Sequence, residues 1–334
     1  MIYSFVATNK DTKHAAIYAG FYAFIPLFFF FGSFYGAMES IAIMYVVAMA
    51  LAILKKDYIL TPVLYMCALL FSNFVLVIFP VVLAFQVIGM IYDTETRWMN
   101  LATVLVTIVL FYAFTIVMTF ESVKSGKLFV YFTRMYQTFK DLKYLSTDSF
   151  NLYAVFGAAN NKVRTTLIEV FNWLFVAGMS AWPIYVYLKN KNRLDLILNC
   201  GLMLIAYAIL GAGSAIVILP LGLILLFIYL TIVPDSRLYI CYGLLATLSF
   251  MNIAQLASQS GYISNVSGAT YTAFANNSAF LIVFSIFSVI AFFYLVYVSI
   301  DISYFNQTNE IAPLDKNFGK QIKSIFVKKD QKKS

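Results

Sequence analysis

Charged residues are scarce in this sequence of 334 residues. They make up 11% of it, while 62% of the residues are hydrophobic; a soluble domain usually carries about 25% charged residues. So few charged residues cannot cover the surface of a water-soluble protein, so the composition predicts an integral membrane protein. It excludes a nucleic-acid-binding protein, even though 23 basic and 15 acidic residues give a net charge of +8. In a membrane protein, such an excess of Lys and Arg first indicates topology.

Histidine and cysteine are scarce too. His14 is the single histidine, which excludes a site built from several histidines. The three cysteines, Cys67, Cys200 and Cys241, lie in apolar runs without a CxxC spacing. They are predicted to be small buried residues and not a disulfide framework. The segment 1–14 lacks the pattern of a signal peptide, so none is expected there.

Long apolar runs dominate what remains, and about 20 apolar residues cross a bilayer as a helix. The runs are 15–36, 40–54, 58–92, 98–120, 166–188, 194–212, 215–232, 238–256 and 279–300. The run 58–92 is too long for one ordinary span and has the polar pair Ser72-Asn73 in its middle. Two short spans meeting at that pair give ten spans in total, whereas one long tilted helix gives nine.

The distribution of basic residues favours ten spans. With the N-terminus inside, sixteen of the 23 basic residues fall in inner segments, and the other seven lie in 121–165. Nine spans would put either a lysine-rich end or the Lys55-Lys56 turn on the wrong side. The sequence therefore predicts an all-α, multi-pass protein of the plasma membrane with both termini cytoplasmic. Its predicted parts are a cytoplasmic N-terminus (1–14), a five-span bundle (15–120), an outer loop (121–165), a second five-span bundle (166–300) and a basic cytoplasmic tail (301–334).

The outer loop 121–165 has two readings. An apolar stripe with helical spacing predicts an amphipathic helix at the interface; it consists of Leu128, Phe132, Met135, Phe139 and Leu142. Arg134 lies away from the stripe, and Lys162 and Arg164 end the loop. These cations either position the neighbouring segments or bind a lipid phosphate or pyrophosphate.

Acidic residues near the membrane are costly and are therefore site candidates. Glu39 lies in the predicted outer turn between the first two spans, and Glu169 lies about one turn inside the span 166–188. Either carboxylate could act as a general base on an acceptor hydroxyl or bind a divalent metal ion. Alternatively, Glu39 is an exposed turn residue, and Glu169 pairs with Arg164.

Four stretches resemble the polytopic membrane glycosyltransferases of the C superfamily, the bacterial relatives of mannosyltransferases that build glycosylphosphatidylinositol anchors. They are FFFFGSFYGAMESIAIMYVVAMALAILKKD, CALLFSNFVLVIFPVVL, LSTDSFNLYAVFGAAN, and the C-terminal spans LPLGLILLFIYLTIVPDSRLYICYGLLATLSFMNIAQL with FSVIAFFYLVYVSIDI. The third stretch is the closest match, with Phe150, Asn151, Leu152, Tyr153 and Gly157 in the family's pattern.

The resemblance implies transfer of a mannose-type sugar from a polyprenyl-phosphate donor on the outer face of the membrane. Glu39 and Glu169 are the implied catalytic candidates. The implied substrate-binding candidates are Tyr35, Arg134, Asp148, Asn151, Tyr153, Lys162 and Arg164. The cofactor stays open, with a divalent metal ion among the options.

Departures from the family keep other functions open. Its acidic outer loop would precede this chain's first residue, its lysine is replaced near Ser72-Asn73, and its charged cluster before Pro220 is absent. One hypothesis is a split enzyme, in which a second membrane chain supplies the missing spans. Another is a non-catalytic subunit that binds a lipid-linked glycan or a partner. A third, a lipid or solute transporter, is disfavoured because the spans show no internal repeat.

Overall fold

A computed structural model describes residues 2–9, 12–29, 39–92, 97–118, 146–147, 149–156, 165–259, 278–305 and 307–308 of the chain. Almost all of these residues are helical, as predicted. The helices are α1 (Ile2–Asn9), α2 (Thr12–Phe24), α3 (Pro26–Phe29), α4 (Glu39–Leu54), α5 (Leu60–Phe71), α6 (Phe79–Tyr92), α7 (Arg97–Met118), α8 (Leu152–Val155), α9 (Thr166–Asn190), α10 (Arg193–Leu210), α11 (Ile218–Ile232), α12 (Ser236–Gln259) and α13 (Ser278–Phe305). A 3-10 helix, Asn73–Ile78, precedes α6. One parallel pair of two-residue strands joins β1 (Ser146–Thr147) to β2 (Ser214–Ala215).

Five stretches are long and apolar enough to cross a membrane: Asn73–Tyr92, Thr166–Asn190, Arg193–Leu210, Ser236–Gln255 and Ala279–Phe305. Shorter apolar helices lie at Glu39–Leu54, Leu60–Phe71, Arg97–Ala113 and Ile218–Ile232. The chain is thus a helical protein suited to a membrane. The count of ten spans and the cytoplasmic placement of the termini stay predictions.

The run 58–92 folds as two antiparallel segments. Its helix breaks at Ser72, whose backbone is extended (φ −147°, ψ 113°). Beyond the break the chain turns back, since the ring of Tyr65 lies 6.1 Å from that of Phe79 and the ring of Tyr58 lies 5.0 Å from that of Phe85. A continuous helix would separate residues 58 and 85 by about 40 Å. The alternative of one long tilted helix is therefore wrong.

Helix α10 forms the centre of the bundle. Every side chain from Asp195 to Ile209 is buried, and α9, α11 and α13 pack around it. It crosses α11 at two glycines: a Cβ atom on Gly222 would lie 2.9 Å from the carbonyl oxygen of Gly201. Small residues at such crossings let helix backbones approach closely, which is how helices associate where water supplies no driving force.

The peripheral helices present apolar side chains outward. Val109 of α7, Phe171 of α9 and Tyr297 of α13 are each more than half exposed. This apolar exterior is the surface that lipid covers in a membrane protein.

Basic turns from distant parts of the chain meet at one end of the bundle. The guanidinium of Arg193 donates a hydrogen bond to the carbonyl oxygen of Leu54, which joins the start of α10 to the end of α4. The ammonium of Lys191 lies 4.1 Å from the centre of the Tyr92 ring, at the end of α6. We call this the basic end. The first residues of α4 and α9, and therefore Glu39 and Glu169, lie toward the opposite end.

Candidate functional site

The stretch with the closest family resemblance is docked at the opposite end. The side-chain oxygen of Asn151 caps α8 by accepting a hydrogen bond from the backbone N–H of Ala154 (3.0 Å). The N–H of Phe150 donates to the side-chain oxygen of Asn252 in α12 (3.2 Å). The Phe150 ring stacks on Phe284 of α13, with 5.7 Å between ring centres. These contacts fix the stretch against two long helices.

The connection between α10 and α11 forms the other wall. Its strand β2 pairs with β1, just before the docked stretch. Asn172 of α9 clamps the connection: its amide nitrogen donates to the carbonyl oxygen of Ala212 (3.1 Å), and its oxygen accepts from the N–H of Ala212 (3.0 Å). The same amide nitrogen donates to the hydroxyl of Tyr207 (3.1 Å). A single buried amide thus aligns α9 with the end of α10.

Ala212 lies between α8 and the first turn of α9. Tyr153 of α8 and Ile168 of α9 both pack against it, and Ile168 is the neighbour of Glu169. We call the region formed by Tyr153, Ala212 and the first turn of α9, which carries Ile168 and Glu169, the Ala212 niche. The sequence prediction put Tyr153 and Glu169 on the same side of the membrane, and the structure sets Tyr153 beside the helical turn that contains Glu169.

The two titratable groups of the niche have different surroundings. Burial raises the pKa of Tyr153 above its ordinary value, so its hydroxyl stays a neutral hydrogen-bond donor at physiological pH. Glu169 is half-buried in the first turn of α9. The niche therefore combines a tyrosine hydroxyl with a helical turn that carries a carboxyl group.

Glu39 lies elsewhere on the molecule. It begins α4, just before the predicted span 40–54, and is half-buried. Burial raises the pKa of its carboxyl group, and a hydrogen bond with its own backbone lowers it to a smaller extent. The next residue, Ser40, lines an apolar cavity of about 340 Å³ together with Tyr3 and Tyr22. Because α4 packs mainly on α5 and α11, and α9 mainly on α10 and α6, the two predicted catalytic carboxylates have separate surroundings.

The other predicted substrate-binding residues, Tyr35, Arg134, Asp148, Lys162 and Arg164, lie outside the described residues, as does most of the outer loop. Their roles stay predictions. Within the part of the chain that the structure describes, no group of three His, Cys, Asp or Glu side chains could hold a metal ion. The described residues therefore do not fit a protein-bound divalent metal.

Sequence reasoning did not identify the polar network of the basic end. Asn199 of α10 accepts a hydrogen bond from the indole nitrogen of Trp182 (2.9 Å) and donates one to the hydroxyl of Ser303 (3.1 Å). Asn190 donates to the carbonyl oxygen of Ser303 (2.6 Å) and, over 3.4 Å, to the carboxylate of Asp195. The network joins α9, α10 and α13, and its members bond mainly to one another, which indicates a structural role. One signal was available: a capping residue, Asn192, precedes Asp195 by three positions.

No protein-family model, curated protein or solved structure matches this chain.

Proposed function

We propose that the chain binds a polyprenyl-phosphate-linked sugar at the Ala212 niche and takes part in its transfer, as one part of a split membrane glycosyltransferase. The observation that carries the proposal is the docking of the stretch 149–156, which sets the half-exposed Tyr153 beside the first turn of α9. This stretch is also the one in which the resemblance to C-superfamily transferases is closest.

The two niche side chains supply complementary chemistry. The neutral hydroxyl of Tyr153 donates a hydrogen bond to a sugar or phosphate oxygen. In this proposal, the carboxylate of Glu169 accepts hydrogen bonds from sugar hydroxyls and takes the proton of an acceptor hydroxyl as a general base. In an inverting transfer, the acceptor oxygen forms the new bond to the anomeric carbon while the bond to the polyprenyl phosphate breaks.

The departing phosphate needs positive charge, which stabilises the transition state most where water is excluded. The cations that the sequence offers for this are Arg134, Lys162 and Arg164, in the loop that leads into α9. The acidic outer loop that the resemblance assigns to such transferases would come from a second membrane chain. No step is assigned to a metal ion, because the described residues do not fit one.

The test is transfer of radiolabelled mannose from polyprenyl-phosphate mannose by the full chain, co-reconstituted with a candidate partner that carries an acidic outer loop. Tyr153→Phe and Glu169→Gln should each lower the rate at least tenfold. The matched controls are Tyr297→Phe, at a residue of α13 that is 61% exposed, and Glu310→Gln in the tail. Equal rates for the niche variants and the controls would remove the niche from the reaction.

A second candidate is a non-catalytic subunit that binds the lipid-linked glycan. It is favoured by the way the amides around the niche are used: Asn151 caps α8, and Asn172 holds Ala212. These side chains shape the backbone and do not face a substrate. For such a subunit, we expect that the partner transfers sugar only when this chain is present. Glu169→Gln should leave the transfer rate unchanged, and Tyr153→Phe should still weaken binding of the labelled donor.

A further inference from the structure

Five cations gather at the basic end on two adjoining turns. The first turn joins α4 to α5, and the second joins α9 to α10. The hydrogen bond from Arg193 to the carbonyl oxygen of Leu54 holds the turns together. We call the set the cation cluster: it consists of Lys55, Lys56, Lys189, Lys191 and Arg193.

The described carboxylates nearest in sequence to the cluster, Asp57 and Asp195, accept hydrogen bonds from other groups. Asp57 lies in the turn before α5, and its side chain accepts hydrogen bonds from the N–H groups of Ile59 (3.1 Å) and Leu60 (2.9 Å). Asp195 is 3% exposed and belongs to the polar network of α10. Among the described residues, no cluster member forms an ion pair with a carboxylate. Arg237 at the same end is different, because Asp235 and Asp301 both bind it.

Helix dipoles do not neutralise the cluster. A helix C-terminus carries about half a negative charge and an N-terminus about half a positive one. The ends of α4 and α9 lie beside the starts of α5 and α10, so the four partial charges largely cancel. The helix dipoles therefore leave the positive charge of the cluster largely unchanged.

Aromatic rings place the cluster at the level of the membrane surface. The ammonium of Lys189 lies 3.6 Å from the centre of the Tyr304 ring, and that of Lys191 lies 4.1 Å from Tyr92, which is 60% exposed. Trp182 packs beside Tyr304. Tyr and Trp concentrate at membrane–water interfaces, the depth at which lipid phosphates lie.

Two cluster lysines have unusual backbones. Lys56 (φ 57°) and Lys191 (φ 53°) are the residues other than glycine with positive φ in the described chain. Glycine and asparagine adopt this conformation with less strain than lysine does. At both places lysine adds a cationic side chain at a position whose backbone conformation favours glycine or asparagine.

We propose that the cation cluster is a binding site for the phosphate of an anionic phospholipid headgroup. Anionic lipid attracts each nearby Lys or Arg by enough to change affinity about fivefold. The half-buried Arg193 fixes the position of the site, and the exposed lysines complete the contacts with the phosphate.

The experiment titrates the full-length chain in neutral detergent with phosphatidylglycerol and, as a neutral control, with phosphatidylcholine. Lys55→Gln/Lys191→Gln should weaken binding of phosphatidylglycerol about 25-fold, following the factor of about five per lysine. The matched control, Lys10→Gln/Lys13→Gln, removes two charges from the N-terminal segment and should change binding less than twofold. Equal weakening in the two pairs would assign the effect to overall charge, and unchanged binding in both would show that the cluster serves the fold alone; either result overturns the proposal.

Two further arms separate binding from folding and lipid from free phosphate. Lys56→Gly and Lys191→Asn relieve the backbone strain, so thermal stability in phosphatidylcholine should be kept or raised while affinity for phosphatidylglycerol falls about fivefold in each. A loss of stability with unchanged lipid affinity contradicts the proposal. Inorganic phosphate should not displace the lipid at equal concentration, and displacement would assign the site to a soluble anion instead.

Discussion

The crossing of α10 and α11 gives the sharpest test of the fold. Replacing Gly222 by Ala puts a Cβ atom 2.6 Å from the Cγ1 atom of Ile205, 2.9 Å from the carbonyl oxygen of Gly201 and 3.0 Å from the backbone nitrogen of Ile205. Two of these three neighbours are backbone atoms of a buried helix. They cannot move away by a rotamer change, so the helices themselves must separate.

The size of the effect follows from a comparison with Gly243 in α12. An added Cβ atom there meets nothing within 4 Å. Both substitutions gain the same intrinsic helix propensity of Ala over Gly, about 1 kcal/mol, and this gain cancels in the difference between them. The remaining term is overpacking, so Gly222→Ala should be about 1–3 kcal/mol less stable than Gly243→Ala. Gly201→Ala should fall between the two, because its nearest neighbours lie at 3.0 Å and 3.1 Å.

The assay is reversible unfolding of the purified chain by SDS in mixed micelles, followed by circular dichroism. A double variant guards against simple failure to fold: Ile205→Ala removes the side-chain atom nearest to the new methyl group. The double variant Gly222→Ala/Ile205→Ala should therefore lose less stability than the sum of the losses of the two single variants. If Gly222→Ala is as stable as Gly243→Ala, the close crossing described above is wrong.

Two further predictions concern charged side chains. Arg237→Gln leaves two largely buried aspartates without their cation and should lower the free energy of unfolding by about 3 kcal/mol. The control is Arg97→Gln, at an exposed arginine bonded to carbonyl oxygens, which should change the free energy of unfolding by less than 1 kcal/mol. Equal losses in the two variants would refute the role of burial. Burial raises the pKa of Glu39, so the folded state holds its proton to higher pH than the unfolded state, and stability should fall as pH rises from the ordinary carboxyl pKa through the raised one. Glu39→Gln should remove that slope and be the more stable protein at neutral pH, while an unchanged slope would show that Glu39 does not cause it.

Helix positions could be predicted from the sequence, but the arrangement of the helices could not. The polar pair at Ser72 correctly indicated a break in the run 58–92, because apolar length and an interrupting polar group are local properties. Burial within the bundle is not local. The span Arg193–Leu210 has a mean hydropathy of 1.7, and 83% of its 18-residue apolar stretch is buried. The corresponding share is 22% in Thr166–Asn190, with a mean hydropathy of 1.4, and 28% in Ala279–Phe305, with a mean hydropathy of 2.7. Lipid and protein interior are both apolar, so hydropathy does not distinguish a central helix from a peripheral one.

The candidate site could be predicted only in part, because its assembly also depends on contacts between residues far apart in the sequence. Tyr153 and Glu169 could be placed on one side of the membrane from topology alone. The packing of Tyr153 and of the first turn of α9 on Ala212 depends on Asn172, which clamps the α10–α11 connection through a contact 40 residues distant in sequence. Asn151 was predicted to bind substrate, and its oxygen caps α8. The side chain of asparagine suits both roles, because an amide that can bind a sugar can also cap a helix.

The described carboxylates divide by position. Four are at the basic end and serve the structure: Asp57 accepts hydrogen bonds at the start of α5, Asp195 belongs to the α10 network, and Asp235 and Asp301 bind Arg237. The other two, Glu39 and Glu169, lie toward the opposite end. A carboxylate with a structural partner stabilises the fold when charged, so its neutral variant should unfold more easily. A carboxylate kept for a ligand should show the reverse pattern, with stability kept and activity or binding lost. Measuring both properties for Glu39→Gln and Glu169→Gln therefore tests each residue on its own, and a loss of stability alone would move that residue into the structural group.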